Sequence, residues 1–255
     1  MHLTIDINCD MGEGFPYDRE IMPCITSANI ACGYHAGSIE LIKKTIELAQ
    51  LHKVAIGAHP SFPDREHFGR LEMNMNAGEL QHMVTEQLYI FENQCQRMGA
   101  TLHHIKLHGA LYNMSAGNET LAQTLLLALA PYKQKAILYG LSGSLFNRLA
   151  QRAGFAIAHE VFADRTYQTG GILTPRSEPG AVIEEEDTAV YQVLQMILEK
   201  RVRTITGEYT PVLADTVCIH GDTRHAAQFA RRLQAMVNDN FITLQAPTLK
   251  HRVYE

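Results

Sequence analysis

Residues 3–10 of the chain read LTIDINCD, an alternation of apolar and polar side chains that is typical of a β-strand. The apolar face holds Leu3, Ile5, Ile7 and Cys9, and the polar face holds Thr4, Asp6, Asn8 and Asp10. A solvated edge strand would show the same pattern. This strand, however, opens an α/β sequence, and parallel sheets in such folds are usually covered on both faces. We therefore expect the apolar face to pack on helices and the polar face to point into the mouth of a barrel.

Short apolar segments alternate with amphipathic ones along the whole chain, which predicts repeated βα units. Strands are predicted at residues 3–9, 27–31, 54–59, 102–107, 136–140, 156–161 and 216–220. Helices are predicted at residues 39–52, 79–98, 121–130, 144–153, 187–199 and 224–237. This alternation favours a closed parallel β/α barrel over an open doubly wound sheet. The lack of a GxGxxG motif after the first strand supports that choice.

The composition predicts one soluble globular domain over residues 1–255, because no linker divides the chain and one barrel takes about 250 residues. Lys and Arg total 22 against 27 Asp and Glu, and this net charge of −5 without a basic block argues against a nucleic-acid partner. The apolar runs are too short for a membrane span, and the start lacks a secretory signal. Five cysteines without a CxxC pair predict reduced thiols and a cytoplasmic location.

Histidine is unusually frequent, with 13 residues in 255, and several histidines lie where predicted strands end. His59, His108 and His220 each close a strand-like run and are followed at once by Pro or Gly, while His35 precedes an Ala-Gly turn. One such histidine is explained by capping or core packing. Four at equivalent positions are not, and the carboxyl ends of parallel strands meet at one mouth. We therefore expect these four side chains to converge.

The converging side chains leave two kinds of chemistry open. One is a divalent metal site, with Asp10, His35 and His59 as candidate ligands and the metal unspecified. The other is metal-free acid–base chemistry, which we favour because the histidine spacing is not diagnostic of a metal site and shows no HExxH motif. Lys106 lies between two histidines on one strand face. It is expected to have a depressed pKa, to bind an anionic substrate group, or to pair with an acid of the first strand.

Further polar side chains follow the same strands and are candidates for binding a substrate. Arginines in these loops suit a bidentate clamp on a carboxylate, although each one alone is more typical of a surface ion pair. The candidate substrate-binding residues are Asp6, Asn8, His35, Arg70, Tyr112, Asn113, Asp164, Arg165, Arg176, His220 and Asp222. No GxxxxGK[ST] motif occurs, so the chain has no P-loop.

Six segments of the chain resemble the motifs of one known family. They are DINCDMGEG at residues 6–14, ITSANIACGYHAG at 25–37, IGAHP at 56–60, KLHGALYN at 106–113, EVFADR at 160–165 and HGD at 220–222. Through these motifs, which cover nearly the whole chain, the protein resembles the LamB/YcsF family. It departs from the family pattern at Ser38 and Leu107, where Asp and Pro are usual, and in the residues after Gly14 and after Asp222. None of these departures removes a histidine or an acid of the predicted mouth.

The resemblance implies a seven-stranded β/α barrel similar to that of sugar deacetylases and some glycoside hydrolases. It also implies ATP-dependent hydrolysis of 5-oxo-L-proline to L-glutamate, with ADP and phosphate as products and Mg²⁺ accompanying ATP. Two further 5-oxoprolinase subunits, B and C, are the implied partners. Within that activity we expect Asp10 or Glu13 to move protons together with His59 and His108. We expect Lys106, with an arginine, to bind a carboxylate or phosphate.

Two other functions stay open from the sequence. A metal-dependent amide hydrolase or deacetylase acting on N-acetylated sugars would share the barrel, but the absence of Trp and the 7% aromatic content weigh against stacking on sugar rings. A non-catalytic subunit that presents 5-oxoproline to its partners would need few titrating groups. The predicted mouth holds many, which argues against this third function.

Overall fold

The computed structural model describes residues 3–222 and 225–249, which form a closed barrel of parallel strands surrounded by helices. The barrel strands are β1 (Thr4–Met11), β2 (Ser27–Ala31), β3 (Ala55–His59), β4 (Leu102–Lys106), β5 (Ile137–Leu141), β6 (Ile157–Phe162) and β7 (Thr216–Ile219). Each strand pairs with the next, and β7 closes the ring by pairing with both β6 and β1. The predicted closed seven-stranded barrel is confirmed, and all seven predicted strands are present with small shifts at their ends.

The helices lie between the strands and cover the outside of the barrel. They are α1 (Asp18–Ile21), α2 (Ile39–His52), α3 (Ala77–Arg97), α4 (Gly109–Gly117), α5 (Glu119–Leu129), α6 (Leu145–Arg152), α7 (Glu186–Leu194) and α8 (Ala226–Asp239). Both predicted ends of α2 are correct. The helix begins where the sequence offers a capping residue: the Ser38 hydroxyl accepts a hydrogen bond from the Leu41 N–H at 3.2 Å. Arg224, the predicted start of the last helix, lies outside the described residues.

Four elements were not predicted from the sequence, the first of which is the one-turn helix α1. Helix α4 begins directly after His108, in a segment that the sequence analysis treated as a loop. A two-stranded antiparallel hairpin, Arg201–Arg203 with Tyr209–Pro211, lies between α7 and β7. The short strand Thr243–Leu244 pairs in parallel with the start of β1 from outside the ring. Helix α1 and the three short strands have too few residues to produce a periodic pattern, and helix α4 begins and ends with glycine, a residue typical of loops.

The interior of the barrel is polar, as the alternation in β1 predicted. Ile5 and Ile7 pack in the main hydrophobic core between strands and helices, while Asp6 and Asn8 are also fully buried. Because both faces of β1 are covered, the alternative of a solvated edge strand is wrong. The parallel strands direct their carboxyl ends to one mouth, where the predicted site residues come together.

The cysteines and the surface can be described briefly. All five cysteines are buried free thiols, so the chain relies on the barrel core rather than on disulfide bonds for its stability. Among the helices of residues 3–222 and 225–249, none combines the length and apolar character that a bilayer span requires.

Candidate active site

A cavity of about 550 Å³ opens at the carboxyl ends of the barrel strands. Its lining includes Asp10, Glu13, His59, Arg70, Lys106, His108, Tyr112, Asn113, Arg165, Arg176, His220 and Asp222. The structure thus brings the five predicted catalytic residues into one cavity together with most of the predicted substrate-binding residues. Its two sides differ in chemistry. We call Asp10, Glu13, His59 and His108 the acid–histidine wall, and Asp164, Arg176 and His220 the dyad wall.

Asp10 is the central acid of the first wall and stands near the end of β1. Its Oδ1 accepts hydrogen bonds from Asn29 at 2.8 Å and from Lys106 Nζ at 3.0 Å, and its Oδ2 lies 3.2 Å from His59 Nε2. Burial alone would raise the pKa of Asp10, but His59 and Lys106 outweigh burial and hold the pKa well below its usual value. Asp10 is therefore ionised. Its Oδ1 is bound by Asn29 and Lys106, and its Oδ2 faces the histidines.

His59 and His108 face each other across the floor of the cavity. His59 Nε2 lies 2.9 Å from His108 Nδ1. Each ring uses its other nitrogen on a backbone carbonyl: His59 Nδ1 donates to Lys106 at 2.7 Å and His108 Nε2 donates to Phe68 at 2.9 Å. The two rings are therefore fixed in orientation by the ends of two different loops.

Glu13 and His35 form a pair behind these rings. His35 Nδ1 lies 2.7 Å from the Ser61 hydroxyl, which itself donates to the Phe62 carbonyl, so His35 Nδ1 carries a proton. His35 Nε2 then faces Glu13 Oε1 at 3.1 Å. Burial and the nearby Asp10 charge raise the pKa of Glu13 well above its usual value, whereas burial and His108 lower the pKa of His35. Glu13 is accordingly a neutral carboxylic acid that donates to His35.

Lys106 forms part of the cavity floor, at the end of β4. Its Nζ is 2.8 Å from Glu160 Oε1, 3.0 Å from Asp10 Oδ1 and 3.1 Å from Cys218 Sγ. Burial would lower the pKa of Lys106, but the charges of Asp10 and Glu160 outweigh it and raise the pKa well above its usual value. The expectation of a depressed pKa is therefore wrong, because two buried carboxylates surround the amine. Pairing with an acid of the first strand, the other possibility considered, is what the structure shows.

The dyad wall lies across the cavity, after β6 and β7. His220 Nδ1 donates to Asp164 Oδ2 at 2.7 Å, and His220 Nε2 accepts from Arg176 Nη2 at 2.9 Å. Burial would raise the pKa of Asp164, but His220 outweighs it and the pKa is lowered. Arg165 is buried beside this wall and donates to the carbonyls of Ala181 and Thr174, so it braces two loop segments as well as lining the cavity.

The remaining predicted residues line the rim of the cavity. Arg70 and Asp222 approach to 3.6 Å from opposite sides, which connects the loop after β3 to the loop after β7. Tyr112 is buried and Asn113 exposed, one turn into helix α4, and both face the cavity. Burial and the nearby Glu160 charge raise the pKa of Tyr112 well above its usual value, so its hydroxyl stays protonated.

Asp6, Asn8 and His35 do not line the cavity, so the expectation that they contact a substrate is corrected, and Asp164 stands behind His220 rather than in the lining. Asp6 is fully buried deeper in the barrel and accepts hydrogen bonds from the hydroxyls of Ser27 at 2.8 Å and Thr216 at 2.6 Å. Asn8 Oδ1 accepts from Lys106 Nζ at 3.2 Å. These side chains hold the floor in place because they satisfy the polar groups that the barrel encloses.

Three functional residues were not among the predicted site residues. Asn29 and Glu160 hold Asp10 and Lys106, and both lie in polar positions of strands whose alternation could have indicated them. Phe68 was not detectable, because it acts through its backbone carbonyl. It has a positive φ of 58°, rare for a residue with a side chain, and Gly69 follows at 66°. Gly109 packs so closely that a Cβ there would lie 2.3 Å from the Gly69 carbonyl oxygen.

Four ligand atoms of the first wall form a group with metal-binding composition. Asp10, Glu13, His59 and His108 each offer one such atom, and all four atoms lie within 4.8 Å of one another. His35, one of the metal candidates from the sequence, does not belong to this group. Both of its nitrogens already have partners, and its ring stacks on His108 with centroids 3.8 Å apart.

Together these features define a class of protein: a seven-stranded β/α barrel whose mouth holds a buried acid–histidine centre. The family model described as LamB/YcsF family matches residues 5–252, and the chain belongs to the LamB/YcsF family. The resemblance noted from the motifs is thereby confirmed.

Curated relatives and solved structures agree with this family. The 5-oxoprolinase A subunit of Geobacillus kaustophilus is 46% identical over 98% of this chain and 99% of its own, and that of Tolumonas auensis is 45% identical over 95% and 98%. The lactam utilization protein of Thermus thermophilus has a TM-score of 0.90 and 36% identity, covering 96% of this chain and 100% of that one. The peptidoglycan deacetylase PdaC of Bacillus subtilis, with a TM-score of 0.51 and 11% identity over 96% of this chain and 88% of that one, shares the fold.

Proposed function

We propose that this chain is a catalytic subunit of a 5-oxoprolinase, which opens the lactam of 5-oxo-L-proline to give L-glutamate. The relatives named as the A subunit of 5-oxoprolinase support the substrate, since they match this chain over nearly its full length. The observation that carries the proposal for this chain is the convergence of Asp10, Glu13, His59 and His108 in one cavity. A protein that only bound a small acid would not need four buried titrating groups.

The cavity suits a small anionic ring. The substrate has one carboxylate and one amide, and cavities of roughly 300–1,000 Å³ are typical of small-molecule sites. Arg176 lines the cavity, where its guanidinium group can bind the carboxylate, and Arg70 adds positive charge at the rim. Lys106 is enclosed by Asp10 and Glu160, so we assign it to holding the charges of the floor rather than to binding the substrate.

Hydrolysis of a lactam needs a water activated for attack on the carbonyl carbon and a proton for the departing nitrogen. His59, oriented by its hydrogen bond to the Lys106 carbonyl and facing the ionised Asp10, is placed to accept a proton from water. Glu13 is neutral because its pKa is raised, so it has a proton to donate to the nitrogen as the C–N bond breaks. Asp10 is ionised and Glu13 is neutral. We therefore place the base of the reaction on the side of Asp10 and the acid on the side of Glu13.

ATP and its Mg²⁺ enter the proposal as a co-substrate. Opening an unstrained amide is unfavourable for a hydrolase alone, and phosphorylation of the amide oxygen would make the carbonyl carbon a better target for water. Departure of the nitrogen then leaves an acyl phosphate, and a second water hydrolyses it to L-glutamate and phosphate, with ADP as the other product. We assign two further subunits, B and C, to the complete enzyme, and the cytoplasm, where ATP and reduced thiols coexist, as its location.

The experiment measures glutamate release from 5-oxoproline with ATP and Mg²⁺. The full chain is assayed alone, then with its two partner subunits, and each mixture is repeated without ATP. We expect release only from the three-subunit mixture with ATP, accompanied by ADP. Absence of glutamate from that complete mixture would contradict the proposal. Release without ATP would contradict its coupling to nucleotide hydrolysis.

A further inference from the structure

The contact between His59 and His108 poses a problem of protonation. A backbone carbonyl can only accept a hydrogen bond, so His59 Nδ1 and His108 Nε2 must both carry the ring hydrogen. In two neutral rings, the remaining nitrogens then have lone pairs and no hydrogen. Those two nitrogens, His59 Nε2 and His108 Nδ1, face each other at 2.9 Å. Two lone pairs at this distance repel, unless a positive charge lies between them or beside them.

Two acid oxygens lie next to this pair. Asp10 Oδ2 is 3.2 Å from His59 Nε2, and Glu13 Oε1 is 3.7 Å from His108 Nδ1. Asp10 Oδ1 is already held by Asn29 and Lys106, which leaves Oδ2 with its lone pairs directed into the same small volume. Glu13, in contrast, has a partner in His35.

We propose that Asp10, His59 and His108 bind a divalent transition-metal ion, with Glu13 beside it and one coordination position open to the cavity. Two imidazoles and one carboxylate suit Zn²⁺, Co²⁺, Mn²⁺ or Fe²⁺, and three protein ligands with an open position are typical of catalytic rather than structural metal sites. The backbone carbonyls of Lys106 and Phe68 orient the two rings, as outer partners of metal-bound histidines commonly do. This inference does not rest on the proposed function, because it concerns the isolated chain.

An extra proton is the other way to relieve the contact. A proton on His59 Nε2 or on His108 Nδ1 would bridge the two nitrogens, which lie 2.9 Å apart. The stacking of neutral His35 on His108, at 3.8 Å between centroids, adds no negative charge that would favour such a proton. A dication held by the ionised Asp10 satisfies all three atoms at once, whereas a proton satisfies only two. With an ion bound, His59 Nε2 would hold the metal instead of accepting a proton, and the ion would activate water by lowering the pKa of a coordinated water molecule.

The experiment uses the full chain without its partners. Metal is removed with a chelator, and Zn²⁺ and Co²⁺ are then titrated, with calorimetry for Zn²⁺ and visible absorption for Co²⁺. We expect one ion per chain and a Co²⁺ spectrum of a low-coordinate nitrogen–oxygen site. His59→Asn and His108→Asn should each weaken Zn²⁺ binding by at least about 100-fold, since loss of an outer partner alone typically costs 10–100-fold.

The controls separate this site from unspecific binding. His82 lies exposed beside Glu86 on helix α3, at 3.9 Å, so His82→Asn should retain wild-type affinity and stoichiometry. His220→Asn removes a histidine that already pairs with a carboxylate in the same cavity and should also retain both. If a histidine variant does not fold by circular dichroism, the near-isosteric Asp10→Asn variant replaces it, with the same expected loss. Failure of the wild-type chain to bind either ion, or equal affinity in the folded ligand variants, would overturn the metal site while leaving the glutamate assay unaffected.

Discussion

The two walls of the cavity both pair histidine with a carboxylate, yet they are built differently. On the acid–histidine wall the side chains are nearly inaccessible, with 1% exposure for the side chain of His59 and 11% for that of Asp10. On the dyad wall the corresponding values are 17% for His220 and 23% for Asp164. The rings of the first wall are oriented by backbone carbonyls, whereas His220 is held between two side chains, Asp164 and Arg176.

The difference shows what each wall can do. The Lys106 carbonyl ends strand β4, and the Phe68 carbonyl belongs to a loop packed closely on Gly109, so the first wall presents fixed lone pairs in a medium of low polarity, where electrostatic interactions are strong. Side-chain partners rearrange when a ligand arrives, and the second wall can release Arg176 to a substrate carboxylate. We therefore assign the chemical step to the acid–histidine wall and recognition to the dyad wall. The following experiments test that division.

The largest effect is expected from removing one ring of the acid–histidine wall. His59→Asn or His108→Asn should lower kcat of the reconstituted three-subunit enzyme by about 1,000-fold, within the range expected for a positioned acid–base group. Glutamate release under saturating 5-oxoproline and ATP measures this loss. The matched control is His82→Asn on the surface, which should keep wild-type kcat. Near-normal turnover in both ring variants would favour the third function, a non-catalytic presenting subunit.

The acid beneath the first wall should make the fold sensitive to pH. Burial raises the pKa of Asp6 to about 6, above its usual 3.8, so the folded state holds its proton more tightly than the unfolded state does. This contribution to stability is fully present below pH 3.8 and is lost as pH rises through about 6. Relative to Asp6→Asn, the wild type should therefore lose on the order of 3 kcal/mol in the free energy of unfolding between about pH 4 and 7.

Urea unfolding of both proteins at several pH values tests this expectation. The Asp6→Asn variant is the reference, because the other titrating groups contribute equally to both proteins and cancel in the difference. A difference that stays flat with pH would show that Asp6 keeps its ordinary pKa despite its burial, and that the floor of the barrel is better solvated than the structure indicates.

A smaller and different effect is expected on the dyad wall. His220→Asn removes the ring that connects Asp164 to Arg176. KM for 5-oxoproline should rise by about 10- to 100-fold, which corresponds to the free energy lost with one or two hydrogen bonds to charged groups. The kcat should change by only a few-fold. Steady-state kinetics of the reconstituted enzyme separate the two constants. A loss of kcat as large as that of His59→Asn would contradict the assignment of the chemical step to the acid–histidine wall and of substrate recognition to the dyad wall.

The smallest effect is expected where the two walls meet at the rim. Arg70 and Asp222 are 3.6 Å apart and partly exposed, so their ion pair contributes little beyond about 1 kcal/mol. Arg70→Gln should raise KM about 5-fold or less, as expected from a free-energy change of that size. The effect should diminish further at high salt, because exposed charges are screened. Kinetics at low and high ionic strength provide the comparison, and an undiminished effect at high salt would place Arg70 in direct contact with buried substrate.

Much of the fold was predictable because its signals are periodic. Alternation in β1 placed Asp6, Asn8 and Asp10 inside the barrel, and strand-end histidines placed His59, His108 and His220 at the mouth. These inferences depend only on a side-chain period of two and on parallel strands. The hairpin Arg201–Arg203 with Tyr209–Pro211 has too few residues to show a period, and its pairing comes from tertiary contacts that sequence patterns do not record.

The details of the site were less accessible for a related reason. Sequence patterns place residues at a strand end but do not show which ring nitrogen meets which neighbour. His35 was therefore grouped with the metal candidates, and the structure instead places it behind Glu13. A depressed pKa was one of the alternatives for Lys106, yet the pKa rises, because Asp10 and also Glu160, from a strand far along the chain, lie beside the amine. Phe68 contributes a carbonyl, a group that every residue has, and so no residue type could indicate it.

The direct pairing of β6 with β7 has a consequence for how such enzymes change over evolution. β6 and β7 are hydrogen-bonded neighbours in the barrel, although the segment between them is long and leaves the ring. That excursion from the ring includes the hairpin and helix α7. That excursion supplies Asp164 and Arg176 but no strand of the ring. Tyr167 and Val193 in that segment are buried in the core, but its exposed loops can change length while the ring of strands stays closed, so new ligand preferences can arise there with the barrel floor unchanged.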